Sequence, residues 1–242
     1  LIAACDAIDI VTPTLNHHES AMLALHAGKH LFIEKPITAT LPEAQEILQY
    51  SRDHDLKVQI GHVELFNDAY LEAAKYIDNP LFIECHRLAE FNPRGTDVSV
   101  VLDLMIHDIE VVQNLVKSPV KNVEAMSVRT PDMPAGKDYI AALVQFENGV
   151  TANLTASRIT QSRVRTLTVT TDTNYIDMDF INQSINVHSQ GRMPYINQEN
   201  LPDWMNYGLK GSVEQLFIPT NQPLQAELAH FVDCVHGKAT PR

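Results

Sequence analysis

Cysteine, long apolar runs and basic residues are all scarce in this sequence, and each scarcity excludes a class of protein. The three cysteines, Cys5, Cys85 and Cys234, are odd in number and widely spaced, which argues against a disulfide framework and favours a reduced cytoplasm. No apolar run approaches the roughly 18 residues that a membrane-spanning helix needs. With 18 basic and 30 acidic residues the net charge is −12, so nucleic acid and anionic membranes are not expected as partners.

The first part of the chain alternates short apolar runs with helical patterns. The predicted strands are 8–11, 30–33 and 57–60, and the predicted helices are 15–26 and 40–53. This alternation indicates βαβ units and a parallel sheet, which binds ligands at the carboxyl ends of its strands. Thr12-Pro13, Glu34-Lys35-Pro36 and Gly61-His62 all follow predicted strands at that edge.

Glycine is scarce as well, and the nine glycines form no Gly-x-Gly-x-x-Gly turn. A dinucleotide site needs such a turn because it lets the backbone approach the pyrophosphate. The chain opens at Leu1 on what reads as the end of a helix, so we expect the first half of a dinucleotide-binding unit to be absent. We also expect these 242 residues alone to bind a dinucleotide poorly.

Beyond residue 61 the pattern changes to longer alternating strands, which are typical of an antiparallel sheet with one covered face. The predicted strands are 81–88, 121–129, 139–147, 150–157, 165–171 and 174–180, and the predicted helices are 68–77, 99–115 and 224–235. Residues 188–222, with several prolines, are predicted to form a long irregular loop over the active site.

These patterns predict an α/β fold that becomes α+β in its second half. Residues 1–61 would form part of a parallel, dinucleotide-binding sheet, and residues 62–242 a large, mostly antiparallel sheet domain with covering helices. The uncovered face of such a sheet often pairs with another copy, so we expect a homodimer or homotetramer through it.

Three residues of complementary chemistry stand in two short segments. Lys35 follows an apolar run at the end of a predicted strand, and Asp103 and His107 lie four residues apart, which places them on one face of a helix. An imidazole can take a proton from an alcohol, a carboxylate can orient it, and a lysine can stabilise the developing alkoxide. Together they suit removal of a proton from a hydroxyl group while a hydride leaves for a cofactor.

Each of these residues also has an ordinary structural interpretation. Lys35 at a strand end would equally suit a solvated surface lysine, and His107 a hydrogen-bonded histidine of the core. A metal site formed by His86, Asp103, His107 and Asp108 is a further alternative. No short His/Cys ligand pattern recurs and such a site leaves Lys35 unexplained, so we expect no metal.

Residues 9–17 and 24–36, which end in His17 and in Glu34-Lys35-Pro36, resemble the glucose–fructose oxidoreductase/inositol dehydrogenase (Gfo/Idh/MocA) family. Asp103-x-x-x-His107 resembles the second signature of that family. The run 84–97 looks more like its nucleotide-sugar branch, in particular the UDP-N-acetylglucosamine 3-dehydrogenases. Similar proteins often carry arginine near Leu65, and its loss here would change substrate contacts.

The resemblance implies that His107 is the general base, that Asp103 orients the substrate or Lys35, and that Lys35 lies near the reacting hydroxyl. It also implies a cofactor, NAD or NADP, that is lined by Thr12, Pro13, His17, Glu34 and Lys35. Arginines at 87, 94, 158, 163 and 165 supply enough positive charge to clamp a diphosphate. The expected contacts of the sugar or UDP-sugar substrate are therefore His86, Arg87, Arg94, Arg158 and Arg163.

Two classes of function fit these observations. The first is an NAD-dependent dehydrogenase of sugars or nucleotide sugars, which the joint presence of Lys35, Asp103 and His107 favours. The second is a catalytically silent binding or assembly protein of the same fold. Isomerisation or glycoside cleavage through tightly held NAD would use the same three residues, and the sequence does not separate these reactions from simple dehydrogenation.

Overall fold

The computed structural model describes residues 2–92, 98–128, 138–192, 209–218 and 221–242. A three-stranded parallel sheet forms first, with the strands side by side in chain order. Its elements are β1 (Ala7–Ile10), α1 (His17–His26), β2 (His30–Glu34), α2 (Leu41–Asp53) and β3 (Val58–Gly61). The predicted βαβ arrangement is confirmed, and all three strands end at one edge of the sheet.

Local sequence explains where the two helices of this part begin and end. Helix α1 is followed by Gly28 at a φ of 72°, a left-handed conformation that glycine adopts without steric cost. Helix α2 begins after Thr40, whose backbone N–H donates to the Glu43 carboxylate over 3.0 Å. Both helices pack apolar side chains such as Leu25 and Ile47 against Leu31 and Ile33 of β2.

The second sheet has eight described strands in the order β11-β10-β9-β8-β4-β7-β6-β5, and only the β4–β7 pair is parallel. Its strands are β4 (Pro80–Leu88), β5 (Val120–Val128), β6 (Tyr139–Phe146), β7 (Thr151–Ser157), β8 (Val164–Thr171), β9 (Asn174–Asp179), β10 (Ser184–Arg192) and β11 (Leu209–Gln215). The predicted large, mostly antiparallel sheet is therefore confirmed.

The prediction of one irregular loop over 188–222 is wrong, because β10 extends into this range as far as Arg192 and β11 (Leu209–Gln215) lies within it. Ile185 and Val187 alternate inward from β10 and are buried, a short period-two pattern that the prolines of this region masked. Residues 193–208 of the predicted loop lie outside the described residues.

Helices cover one face of the second sheet: α3 (Asp68–Ala73) and α4 (Ile106–Val116). A π-helical turn, Val101–Met105, leads directly into α4. Helix α5 (Pro223–Val235) returns to the first sheet, where the rings of Phe231 and Phe32 lie 5.7 Å apart. The proposed boundary at residue 61 stays a prediction, since the last helix packs on the strands that precede that boundary.

Apolar side chains fill two separate cores, one in each sheet. The opposite face of the second sheet is uncovered among the described residues and exposes Met126, Leu143, Tyr175 and Val213. In the described part of the chain, no helix is both long enough and apolar enough to cross a bilayer.

Candidate active site

The loops after the parallel strands hold most of the predicted cofactor-lining residues. Thr12 and Pro13 follow β1 and are exposed, whereas Glu34, at the end of β2, is half-buried. The peptide between Lys35 and Pro36 is cis. These residues therefore form one surface at the carboxyl edge of the first sheet.

His17 supports this surface from behind. It is 1% exposed, and its two ring nitrogens lie 2.9 Å from the Pro36 carbonyl oxygen and 2.7 Å from the Thr12 carbonyl oxygen. The imidazole thus joins the loop after β1 to the loop after β2. The sequence predicted a direct cofactor contact, but its burial makes His17 a residue that positions these loops.

Lys35 joins the two sheets of the molecule. Its ammonium group donates to the main-chain carbonyl of Asp103 over 2.6 Å, and the carboxylate of Asp103 lies 3.5 Å away. The π-helical turn widens the helix here, since Ile106 N–H donates to the carbonyl of Val101 five residues earlier. Two sequence signatures 68 residues apart therefore meet at one point.

His107 stands four residues further on, just inside α4. The residue is partly exposed, while its Nδ1 is sealed from solvent and has no hydrogen-bond partner in the described part of the chain. Burial, followed by the cations Arg87 and Lys35, lowers the pKa of His107 to about 2. The imidazole is therefore neutral near pH 7, with a site free to receive a proton but little electrostatic support for holding it.

Arg87 does not reach the substrate region, and this corrects the sequence-based expectation. Its side chain is 3% exposed, and its guanidinium binds the Asp108 carboxylate at 2.8–3.1 Å and the Glu64 carboxylate at 3.0 Å. Burying an arginine costs much free energy unless carboxylates neutralise it, and here two of them do so. Arg87 therefore links β4 to α4 beneath His107, where it adds positive charge.

A polar cleft of about 680 Å³ opens beside Asp103. Three arginines line it: Arg158, Arg163 and Arg165. Arg158 is buried and binds the Asp138 carboxylate at 3.3 Å and the Val98 carbonyl at 3.1 Å, whereas Arg163 is exposed. Glu90 and Asp103 line the cleft as well, so its walls carry charge of both signs. Its size suits a small ligand.

The remaining predicted contacts fall elsewhere. His86 points to the opposite face of β4 from Arg87, away from this cleft, because successive side chains of a strand alternate. Arg94 lies outside the described residues. Leu65 is buried in the core, where it contributes to packing. The described residues contain no group of three His, Cys, Asp or Glu that could hold a metal ion.

Sequence reasoning did not select two titratable residues at this site, His62 and Glu110. His62 directly follows β3, and its Nε2 lies 3.7 Å from the Glu110 carboxylate. Glu110 follows His107 by three residues on α4, so it lies on nearly the same side of that helix. Both signals were present in the sequence: a strand-end position for His62 and helical spacing for Glu110.

Comparison with known proteins gives the following matches. Residues 1–62 match the model of the GFO/IDH/MocA oxidoreductase family with an NAD-binding Rossmann fold, and residues 74–176 match the GFO/IDH/MocA C-terminal domain. A UDP-N-acetylglucosamine 3-dehydrogenase of Acidithiobacillus ferrooxidans is 35% identical over 193 residues, covering 79% of this chain and 61% of that protein. The scyllo-inositol 2-dehydrogenase (NAD(+)) of Bacillus subtilis is 23% identical over 251 residues, covering 98% of this chain and 69% of that protein.

Solved structures give the same result for the fold. The A. ferrooxidans UDP-N-acetylglucosamine 3-dehydrogenase GnnA superimposes with a TM-score of 0.86 at 29% identity, covering 99% of this chain and 73% of that chain. KijD10, a 3-ketoreductase of Actinomadura kijaniata solved with TDP-benzene and NADP, has a TM-score of 0.78 at 20% identity and covers 98% of this chain and 71% of that chain. The chain thus spans about 61% of the length of the first relative and about 69% of the second.

Proposed function

This chain belongs to the Gfo/Idh/MocA oxidoreductase family, and we propose that the protein oxidises a secondary hydroxyl of a nucleotide sugar with NAD or NADP. The observation that carries this proposal is the meeting of Lys35 with Asp103, at 2.6 Å to the carbonyl and 3.5 Å to the carboxylate. It joins the carboxyl edge of the first sheet to the helix that carries His107. The residues proposed to transfer the proton therefore share one site with the sheet edge proposed to bind the cofactor.

The residues present fit the nicotinamide end of such a cofactor. Thr12 and Pro13 are exposed at the strand ends, and a side chain at Gly61 would meet the Glu34 carboxylate at 3.1 Å. The absence of a side chain at Gly61 therefore lets the Glu34 carboxylate pack against the end of β3, beside the exposed strand ends. A bound nicotinamide supplies the hydride acceptor that no side chain can provide.

The chain's own residues would handle the proton and the negative charge. His107 is neutral near pH 7 and accepts the hydroxyl proton. The Lys35 ammonium, held at Asp103, stabilises negative charge that develops on the substrate oxygen. Asp103 fixes the position of that ammonium, since its carbonyl and its carboxylate both face it.

The proposed substrate class is a UDP-sugar similar to UDP-N-acetylglucosamine. The cleft beside Asp103 contains arginines, and guanidinium groups bind phosphate oxygens well. Arg163 is the exposed arginine among the predicted contacts that line the cleft, so it is our main candidate for the diphosphate. The relative that shares 35% identity is named for a UDP-sugar, which supports the same choice.

A thermal-shift screen of the full-length protein with NAD, NADP and a panel of UDP-sugars tests this proposal. A ligand that binds only the native state raises the unfolding temperature. We expect a rise with a dinucleotide, a further rise with UDP-N-acetylglucosamine, and no rise with UDP-sugar in an Arg163→Ala variant. If neither nucleotide nor UDP-sugar changes the unfolding temperature, the silent binding or assembly protein becomes the better interpretation.

A further inference from the structure

The cleft beside Asp103 has an aromatic side chain in its lining, and the roles proposed above do not use it. Phe91 stands three residues beyond the end of β4 and is 44% exposed. A phenyl ring left in water forgoes the stabilisation that burial of a large apolar side chain gives. Its exposed surface is therefore available to a flat or apolar group of a ligand in the cleft.

Strand pairing fixes the position of the segment that follows β4. Leu88, the last residue of β4, pairs with Ser157 of β7 on one side and with Val164 of β8 on the other. Arg158 follows Ser157, and Arg163 precedes Val164. Two of the arginines that line the cleft therefore lie on either side of the segment that leaves the end of β4.

Hydrogen bonds hold the start of this segment in place. The backbone N–H of Ala89 donates to the Ser157 carbonyl over 2.8 Å, and the Thr160 hydroxyl donates to the Ala89 carbonyl over 3.1 Å. The segment is thus tied both to the end of β7 and to the connection between β7 and β8. Phe91 follows this tethered position by two residues, so little backbone freedom remains to be lost when a ligand covers its ring.

Of the three parts of a nucleotide sugar, the base is the one that suits the ring of Phe91. The reacting hydroxyl of the sugar has to lie near Lys35 and Asp103, and the diphosphate matches the guanidinium of Arg163. Glu90 precedes Phe91 and also lines the cleft, and its carboxylate would repel a phosphate group. A pyrimidine base is flat and uncharged, so it can stack on the phenyl ring without that repulsion.

We propose that Phe91 is the stacking platform for the pyrimidine base of the nucleotide sugar, with the diphosphate beside Arg163 and the sugar at Asp103. This inference rests on the function proposed above and adds a residue that favours a nucleotide sugar over a free sugar or a sugar phosphate. Stacking on an aromatic ring tolerates different bases, because every base has a π-face. Phe91 therefore selects for the presence of a base and does not by itself distinguish uracil from thymine.

The test measures the affinity of the full-length protein for UDP and for N-acetylglucosamine 1-phosphate by calorimetry, which does not depend on turnover. We expect Phe91→Ala to raise the dissociation constant of UDP at least about fivefold, the loss of one base stack, and to leave that of the sugar phosphate unchanged. Phe91→Trp should restore the affinity for UDP, because it restores an aromatic face. Phe217→Ala removes a phenyl ring that is 87% exposed elsewhere in the chain, and this matched control should bind UDP as wild type does.

Wild-type affinity for UDP in Phe91→Ala would overturn the stacking platform. An equal loss of affinity for both ligands would overturn it as well, because it would place the sugar or a phosphate on the ring. Either result leaves the proposed function intact if the wild-type protein reduces NAD or NADP with a UDP-sugar. UDP binding that depends on Phe91, without cofactor reduction by any UDP-sugar, would instead overturn the proposed function and leave the base site standing.

Discussion

At the scale of single residues, burial and positive charge together set the chemistry of the site. Burial, followed by Arg87 and Lys35, keeps His107 neutral over the whole physiological pH range and makes it a weak base. The same charges would favour an anionic substrate, whose phosphates would offset the repulsion that His107 experiences once protonated. Substrate charge and base strength are therefore linked in this account.

We predict that Lys35→Ala and His107→Ala each lower kcat by about 10² to 10⁴-fold in the full-length protein, the range typical of lost acid–base or charge-stabilising groups. Lys121→Ala, an exposed change on β5, is the control and should retain wild-type kcat. Circular dichroism should show the same fold in all three variants. A wild-type rate in either site variant would mean that the residue has been assigned the wrong role.

Glu227 provides a prediction about stability and pH. It is fully buried, and neither carboxylate oxygen has a hydrogen-bond partner among the described residues. Burial, followed by Glu34 and Asp9, raises the pKa of Glu227 to about 8. The folded chain therefore holds a proton that the unfolded chain loses near pH 4.5, and its contribution to stability falls as pH rises towards 8.

Glu227→Gln keeps this side chain neutral at every pH. Between pH 5 and pH 8 the free energy of unfolding should therefore fall by roughly 2 to 4 kcal/mol less in Glu227→Gln than in wild type. Urea denaturation of the 242-residue chain measures this difference. Glu147→Gln, at an exposed position of the turn after β6, should leave that pH dependence unchanged. Parallel pH curves for wild type and Glu227→Gln would show that the carboxyl is already ionised in the folded state.

The sequence singles out Lys35, Asp103 and His107 as candidates, and the structure brings the first two into contact, while the catalytic roles of all three stay a prediction. Arg87 was predicted to contact the substrate because of its charge, and that prediction was wrong. The sequence does not show whether an arginine on a strand faces solvent or buried carboxylates. The partners of Arg87, Glu64 and Asp108, are distant along the chain. Only the fold shows which arginines keep charge available for a ligand.

At the scale of elements, the ion pairs of Arg87 join the central strand β4 to helix α4. We predict that Arg87→Ala lowers the free energy of unfolding by about 3–5 kcal/mol, because it leaves Asp108 and Glu64 buried without their main counter-charge. The double variant Arg87→Met, Asp108→Leu should regain about half of that loss, since it removes a charge of each sign. Urea denaturation measures both.

Substrate affinity distinguishes this structural role of Arg87 from a direct contact with the substrate. If Arg87→Ala kept wild-type stability and only weakened binding of the UDP-sugar, the original expectation of a substrate contact would be right, and the structural role would be wrong.

Strongly periodic elements were predicted from the sequence, and irregular ones were not. The three parallel strands and both helices between them follow from apolar spacing and end signals. The π-helical turn Val101–Met105 carries no such signal, because the same apolar residues suit an ordinary helix. Strand β10 was missed because its short alternation is followed by prolines, which were given too much weight.

At the scale of the whole molecule, the Lys35–Asp103 contact links two sheets with separate cores. A movement of the two sheets that broke this contact would separate the carboxyl edge of the first sheet, where the cofactor is proposed to bind, from His107, the proposed proton acceptor. The outer face of the second sheet is a different feature, and it exposes Met126 by 84%, Val213 by 63% and Leu143 by 45%. We propose that this face forms a homodimer or homotetramer interface, as the uncovered sheet predicts.

Met126→Glu combined with Leu143→Glu should therefore lower the oligomeric state, because two charges would have to be buried in the interface. Light scattering after size-exclusion chromatography measures the mass. Leu23→Glu, at an exposed position of α1, is the control and should leave the mass unchanged. A monomeric wild-type protein, or an unchanged mass in the double variant, would contradict the proposed interface.

The 242 residues alone should bind NAD weakly, because no glycine-rich turn is present to receive the pyrophosphate. Calorimetric titration of this chain with NAD should give a dissociation constant of about 1 mM or weaker, which is a binding free energy of roughly −4.1 kcal/mol at most. A dissociation constant of about 1 μM would mean that the strand ends at Thr12, Glu34 and Lys35 supply the binding energy without that turn.

The most direct test of the central claim is the absorbance of reduced nicotinamide after the full-length protein is mixed with NAD or NADP and UDP-N-acetylglucosamine. Lys35, Asp103 and His107 are proposed to remove a hydroxyl proton as hydride leaves the sugar, so the account predicts reduced cofactor and ketosugar in equal amounts. Other UDP-sugars in the same assay define the substrate class. No reduced cofactor with any UDP-sugar and either dinucleotide would contradict the account.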